Sequence, residues 1–153
     1  MDRGTGYLQI GEAANRTSLT QRTLRYYEEL GLFRPASRME GGFRLYSPED
    51  VERIDYIKNL RDVLGFSLAE IKDMLAAEDT RAQIKRELHQ TGGLSREERR
   101  NQLLKLKEVA VGQMRIVNEK RARLKEMRHG IQDRIERIDT LLAELVEMAG
   151  APS

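Results

Sequence analysis

The stretch that decides the fold is residues 10–46, IGEAANRTSLTQRTLRYYEELGLFRPASRMEGGFRLY. Its first part predicts two short helices, over 10–16 and 20–30, that are joined by a tight turn. Ser18 or Thr20 supplies a side-chain oxygen that can cap the second helix, because either precedes its first turn. This pattern indicates a helix–turn–helix.

The second part of the stretch predicts a small β-hairpin. Gly31 directly follows the second helix, where a left-handed residue commonly ends a helix. Residues 33–46 then contain Pro35 and two short extended segments, which are separated by Gly41 and Gly42. The two glycines are expected at the tip of the hairpin.

The second helix has two different faces. Leu24, Tyr27 and Leu30 recur at helical spacing and predict the face that packs on the first helix. The opposite face carries basic and polar side chains: Gln21 at the N-terminal end, then Arg22, Arg25, Tyr26 and Glu29. Such a face suits phosphate contacts and base contacts in a major groove.

The predicted hairpin has the composition of a basic wing. Arg38 and Arg44 are its cations, and Phe43 and Tyr46 are its aromatic residues. A wing of this kind would lie against the DNA backbone beside the groove.

Two further helices are expected after the hairpin. Ser47 with Pro48 and two acids opens a helix that runs to about Leu64, and Ser67 opens another that runs to about Ala77. These elements complete a predicted first domain over residues 1–77.

The remainder predicts a connector over 78–95, with a possible short helix over 80–89, and a long helix over 96–149. A capping box at Ser95 opens the long helix, and no proline interrupts it before 149. Gly112 and Gly130 leave open a bend or a break, since glycine weakens a helix interior.

The long helix carries a heptad pattern, in which every a position from Leu103 to Leu145 is apolar but Gln113, Lys120 and Arg134 interrupt the d positions. This predicts a dimerising coiled coil. The expected dimerisation residues are Leu103, Leu106, Ala110, Val117, Leu124, Met127, Ile131, Ile138, Leu141 and Leu145.

Composition narrows the function. The 153 residues include no cysteine, which excludes disulfides and thiolate metal sites. His89 and His129 are far apart, so no metal site and no cofactor is predicted. No nucleophile–base pair or phosphate loop is present, so the chain is not expected to be an enzyme.

No apolar run is long enough to span a membrane, which predicts a cytoplasmic protein without a membrane partner.

Several short motifs resemble the N-terminal DNA-binding domain of the MerR family of bacterial transcription regulators. They are Ile10-Gly11-Glu12-Ala13-Ala14, Thr23-Leu24-Arg25-Tyr26-Tyr27-Glu28, Gly31-Leu32, Gly42-Phe43-Arg44-Leu45-Tyr46 and Leu64-Gly65-Phe66-Ser67-Leu68-Ala69-Glu70-Ile71. The resemblance covers roughly residues 7–77. It implies a mainly α-helical fold, with a winged helix–turn–helix head, a small β-hairpin wing, and a long helix that forms an antiparallel coiled-coil homodimer.

The resemblance also implies a function and a set of DNA-binding residues. Arg22, Arg25 and Tyr26 would contact bases or phosphates beside Gln21, while Arg38, Gly42, Phe43, Arg44 and Tyr46 would belong to the first wing and Arg61 to a second. Family members bind a pseudo-palindromic promoter operator and distort the DNA to control initiation by RNA polymerase. Without cysteines, thiol-based sensing is excluded here, and no small-molecule effector is identified.

Two other functions stay open at this point. One is an architectural, excisionase-like protein that bends DNA, although such proteins generally lack a long dimerisation helix. The other is a coiled-coil interaction protein that does not bind specific DNA, in which the arginines form an ordinary solvated face.

Overall fold

The computed structural model describes residues 6–35, 37–38, 40–90 and 92–150, which divide into two compact units, Met1–Val109 and Ala110–Ser153. The fold is mainly α-helical, as predicted. The elements in chain order are β1 (Leu8–Gln9), α1 (Ile10–Thr17), α2 (Gln21–Glu29), β2 (Ser37–Arg38), β3 (Arg44–Tyr46), α3 (Pro48–Lys58), a π-helical turn (Asn59–Val63), α4 (Leu68–Leu88) and α5 (Arg96–Gly150).

Helices α1 and α2 form the predicted helix–turn–helix. Ser18 adopts a left-handed conformation, with φ 57°, and ends α1. Thr20 caps α2, because its hydroxyl accepts a hydrogen bond of 3.1 Å from the Thr23 N–H. Of the two caps that the sequence left open, the structure uses Thr20.

The hairpin is present, and it belongs to a three-stranded antiparallel sheet in the order β1-β3-β2. Leu8 pairs with Tyr46, and Arg38 pairs with Arg44. The strand β1 was not predicted, because two residues are too few to show an alternating pattern. Gly41 and Gly42 have φ angles of +96° and +88°, a backbone region that glycine adopts without steric cost.

The core of the first unit lies where α1, α2, α3 and the sheet meet. Fully buried side chains come from each of these elements: Ala13, Leu24, Tyr27, Tyr46, Ile54 and Ile57. Helix α3 begins with a complete capping box between Ser47 and Asp50, with Pro48 in its first turn. Its π-helical turn extends the helical region to Val63, close to the predicted end at Leu64.

Helix α4 corrects two predictions. It does not end at Ala77, and no separate helix begins at Thr80, because one helix runs from Leu68 to Leu88. No glycine or proline interrupts that segment, and Ile84 is only 5% exposed, so burial favours continuing the helix. The proposed division into residues 1–77, 78–95 and 96–149 stays a prediction, with its first boundary inside α4.

Helix α5 begins at the predicted capping box. The Glu98 N–H donates to the Ser95 hydroxyl at 3.1 Å, and the Ser95 N–H donates to the Glu98 carboxylate at 2.7 Å. The helix continues through Gly112 and Gly130 without a break. Among the described helices, none is long and apolar enough to cross a membrane.

Candidate nucleic-acid interface

The recognition helix is α2, the second helix of the helix–turn–helix. Leu24 and Tyr27 are buried in the core, as their spacing predicts. Gln21, Arg22, Arg25 and Tyr26 are exposed on the other side. The packing of the inward face therefore leaves two arginines and a tyrosine available to a ligand.

Arg61 lies beside these residues. Arg22, Arg25, Tyr26 and Arg61 line one open concavity, together with Thr23 and Glu29, and we call this the recognition groove. The Arg61 guanidinium carbon lies 5.8 Å from the centre of the Tyr27 ring, within the range of a cation–π contact. The structure thus gathers three arginines that are up to 39 positions apart in the sequence.

Glu28 connects the recognition helix to the wing. Its carboxylate accepts from Arg38 at 2.9 Å and from Arg44 at 2.5 Å. The Arg38 guanidinium also donates to the Gly42 carbonyl at 3.2 Å, across the tip of the hairpin. The two wing arginines therefore orient the wing, and only Arg38, with half of its side chain exposed, keeps a large surface for a phosphate.

Sequence reasoning missed the role of Glu28. The residue belongs to a quoted motif, but nothing in that motif shows which cations it will meet. The available signal is an acid on the recognition helix of a chain whose hairpin holds two arginines.

Tyr46 corrects a prediction. The wing assignment placed it among the DNA-binding residues, but its side chain is completely buried and its ring centre lies 6.0 Å from that of Phe33. Burial raises the pKa of the Tyr46 hydroxyl, an effect that the neighbouring Arg44 charge partly offsets. Tyr46 is a core residue because its position in β3 directs it inward, whereas its neighbour at the wing, Phe43, is 69% exposed.

Two cations anchor α3 to neighbouring elements. The Arg53 guanidinium donates to the Leu32 carbonyl at 3.0 Å and pairs with Asp79 on α4 at 2.5 Å. Lys58 donates to the Thr17 carbonyl at the end of α1, at 2.8 Å. These contacts hold the helix that leads to Arg61 against the helix–turn–helix, and the sequence offered no pattern that predicts them.

The described residues contain no group of three or more histidine, aspartate or glutamate side chains that could hold a metal ion. The candidate site combines the arginines of the recognition groove with the exposed aromatic rings of Tyr26 and Phe43. Its chemistry is the recognition of anions and of base edges.

A helix–turn–helix that exposes arginines on its second helix, next to a basic hairpin, defines a winged helix–turn–helix DNA-binding protein. The sequence profile described as "MerR HTH family regulatory protein" matches residues 8–78. The chain is also 36% identical over 117 residues to the HTH-type transcriptional regulator YfmP of Bacillus subtilis, covering 74% of this chain and 80% of YfmP. The protein belongs to the MerR family of HTH transcriptional regulators.

Other relatives match a shorter part of the chain. The mercuric resistance operon regulatory protein of Bacillus cereus is 42% identical over 71 residues, which are 46% of this chain and 53% of that protein. Among solved structures, a putative MerR family transcriptional regulator from Listeria monocytogenes superposes with a TM-score of 0.51 at 25% identity, over 88% of this chain and 83% of that one. Family membership favours a transcription regulator over an architectural DNA-bending protein.

Proposed function

We propose that the protein is a homodimeric, sequence-specific regulator that binds a pseudo-palindromic operator in a promoter. The observation that carries the proposal is the recognition groove, where Arg22, Arg25 and Arg61 converge beside Tyr26. Arginines bind guanine edges and neutralise phosphates, and the tyrosine hydroxyl can donate a hydrogen bond to a phosphate of the DNA backbone. One head covers one half-site, so a palindrome calls for two heads.

The exposed seam of α5 supports dimerisation. In the single chain, nine of the ten predicted dimerisation residues are exposed, with Leu124 59% and Leu145 60% exposed, and Leu106 is half-buried. A row of this length is unfavourable in water, and a second α5 packed against it would bury the row.

The charge distribution along α5 supports an antiparallel arrangement. Residues 96–114 carry five Lys/Arg and three Asp/Glu, a net charge of +2. Residues 130–150 carry two Lys/Arg and five Asp/Glu, a net charge of −3. Antiparallel helices place the basic end of each beside the acidic end of the other. Parallel helices would place like charges together at both ends, which is destabilising.

One register uses the whole seam. In the register where the numbers of paired a and d residues sum to 251, each of the seven a residues meets a d residue of the partner subunit, from Leu103 with Met148 to Leu145 with Leu106. Each polar d residue then meets an apolar a residue of the partner subunit. The e residues Met114 and Ile135 also meet each other, which places two apolar side chains beside the polar gaps.

In this dimer the two heads bind one duplex and distort it to control initiation by RNA polymerase. Bending a site of this size costs on the order of 1–6 kcal/mol, which phosphate contacts from both heads offset. An effector that binds the dimer with different affinity when the DNA is straight and when it is distorted would then set the activity.

In vitro selection of duplex DNA, followed by footprinting of the enriched sequences, tests the proposal. We expect an inverted repeat, protected on one face and hypersensitive at its centre, with an affinity that falls steeply with salt. Failure to enrich any sequence would overturn specific binding, and protection without central hypersensitivity would overturn distortion.

Single substitutions then assign the groove. Arg25→Ala and Arg61→Ala should each weaken operator binding about 5- to 100-fold, and Arg61→Ala should also reduce the salt slope by about one per head. Arg81→Ala removes an exposed arginine of α4 that, among the described residues, pairs with Glu78 three residues away, and it serves as the control. Equal losses for all three variants would contradict the assignment.

A further inference from the structure

The central part of α5 carries a concentrated positive charge. Residues 115–129 include six Lys/Arg and two Asp/Glu, a net charge of +4 in a chain whose total is +2. Arg121, Lys125 and Arg128 line one open concavity with Leu124 between them, and we call these three cations the central cation patch. In the described part of the chain, none of the three has an ion-pair partner.

The acids of this segment lie on another side of the helix. Arg121, Lys125 and Arg128 are spaced by four and three residues, so they share one face. Glu119 and Glu126 are both at c heptad positions, more than a quarter turn away from that face. The patch therefore lacks local neutralisation.

The proposed dimer doubles the patch. In the register proposed above, where the numbers of paired a and d residues sum to 251, the twofold axis passes between Lys125 and Glu126. Arg121 then faces Arg128 of the partner subunit across the seam. Six cations then meet around the twofold axis, on one face of the coiled coil. Their mutual repulsion opposes dimerisation, in contrast to the attraction at the two ends of the helix.

We propose that this six-cation cluster is a binding site for one small polyvalent phosphate anion per dimer. The patch extends over seven residue steps, about 10 Å of helix, which matches a short chain of phosphates. Guanidinium groups bind phosphate oxygens in a bidentate manner, and the ligand would neutralise the repulsion. The inference rests on the proposed antiparallel dimer, and it makes the anion a stabiliser of that dimer.

Tripolyphosphate is the probe. Titration calorimetry of the DNA-free protein should give one anion per two chains, and sedimentation should show tighter dimerisation than in sodium chloride of equal ionic strength. Arg128→Gln should weaken tripolyphosphate binding about tenfold or more, because each dimer loses two charge-assisted contacts. Without the anion, Arg128→Gln should dimerise more tightly than the wild type.

Arg137→Gln is the matched control. It removes another exposed arginine from α5, but at a g position away from the patch, and it should leave tripolyphosphate binding unchanged.

The other outcomes are separable. One anion per chain, lost in Arg25→Ala, would place the anion in the recognition groove and overturn the inference. Loss of duplex DNA binding in Arg128→Gln would assign the patch to DNA and overturn it as well. A dimer without tripolyphosphate binding would overturn this inference alone, whereas a monomer at micromolar concentration would overturn the proposed dimer and the inference together.

Discussion

Glu28 shows how one carboxylate can organise the candidate DNA-binding surface. It is mostly buried, and it accepts hydrogen bonds from two arginines of the wing. A wing of two short strands has little core of its own, so charge-assisted hydrogen bonds contribute much of its orientation. Arg38 and Arg44 both bind Glu28 within the protein, and Arg38, with half of its side chain exposed, also keeps a surface for a phosphate.

Glu28→Gln should loosen the wing. Glutamine has one acceptor oxygen where Glu28 has two, so one of the two hydrogen bonds is lost and the other loses the charge of its acceptor. We expect the free energy of unfolding to fall by about 1–2 kcal/mol. Binding to the operator should weaken, while binding to unrelated duplex DNA should strengthen because the wing gains a net positive charge. Chemical denaturation and DNA titrations measure both effects.

Glu29→Gln is the control for this change. Glu29 is the exposed neighbour in the recognition groove, and its substitution adds the same charge without touching the wing. If Glu29→Gln weakens operator binding as much as Glu28→Gln does, the role of Glu28 in orienting the wing is contradicted.

Tyr46 gives a second prediction at this scale. Its buried hydroxyl has no hydrogen-bond partner among the described residues. Tyr46→Phe should therefore leave stability unchanged or raise it by about 1 kcal/mol, and should leave operator binding unchanged. A loss of DNA affinity would instead support the original assignment of Tyr46 to the interface.

The same variant has a pH signature. Burial raises the pKa of the Tyr46 hydroxyl above its usual value of 10.0. The neutral hydroxyl is therefore favoured in the fold, and its stabilisation is complete below pH 10 and lost as the pH rises through the folded value. Above pH 10, the midpoint temperature of thermal unfolding should fall more steeply with rising pH for the wild type than for Tyr46→Phe.

At the scale of elements, the start of α5 depends on its capping box. Hydrogen bonds from the Ser95 N–H and hydroxyl lower the pKa of the Glu98 carboxyl from its usual 4.5. A lowered pKa means that the stabilisation is present above pH 4.5 and is lost as the pH falls through the folded value. The first turn of α5 is thus expected to fray in acid.

Backbone chemical shifts of residues 96–99 between pH 6 and pH 3 measure this fraying. We expect them to move toward coil values as Glu98 is protonated. Ser95→Ala should shift them already at pH 6 and flatten their pH dependence. Identical titrations of the wild type and Ser95→Ala would contradict a role for the box.

Helix α3 shows a different use of an element. Its last turn widens into a π-helical turn at Asn59–Val63, and Arg61 lies within it. Such turns occur often at functional sites. The turn carries Arg61 on the side of Tyr27, where it joins the recognition groove.

At the scale of the whole molecule, neighbouring residues of α5 test the dimer. Leu145 occupies an a position of the seam, whereas Val146 lies outside it at b, although the two are 60% and 73% exposed in the single chain. Leu145→Glu should give a monomer, because it places a charge in an apolar layer.

The operator affinity of Leu145→Glu should fall about 100-fold or more. In a dimer, the binding of one head holds the second head at a high effective concentration near its half-site, and a monomer lacks this gain. Val146→Glu should remain a dimer with normal affinity. Sedimentation and operator titration measure the two properties, and a dimeric Leu145→Glu protein would contradict the proposed seam.

Local chemistry made much of this protein predictable. The caps at Thr20, Ser47, Ser67 and Ser95, and the turns at Gly31 and Gly41-Gly42, depend on side-chain oxygens and backbone freedom within a few residues. The inward spacing of Leu24 and Tyr27 indicated which face of the recognition helix stays outside. The family resemblance rests on the same short motifs.

Only the tertiary structure decided what depends on distant partners. It buried Tyr46, paired Glu28 with Arg38 and Arg44, carried α4 past Ala77, and placed Arg61 beside Arg25. The physical reason is that burial and ion pairing depend on residues that are distant in the sequence and that the fold brings into contact. Capping, turn geometry and helical periodicity are set by neighbours in the sequence.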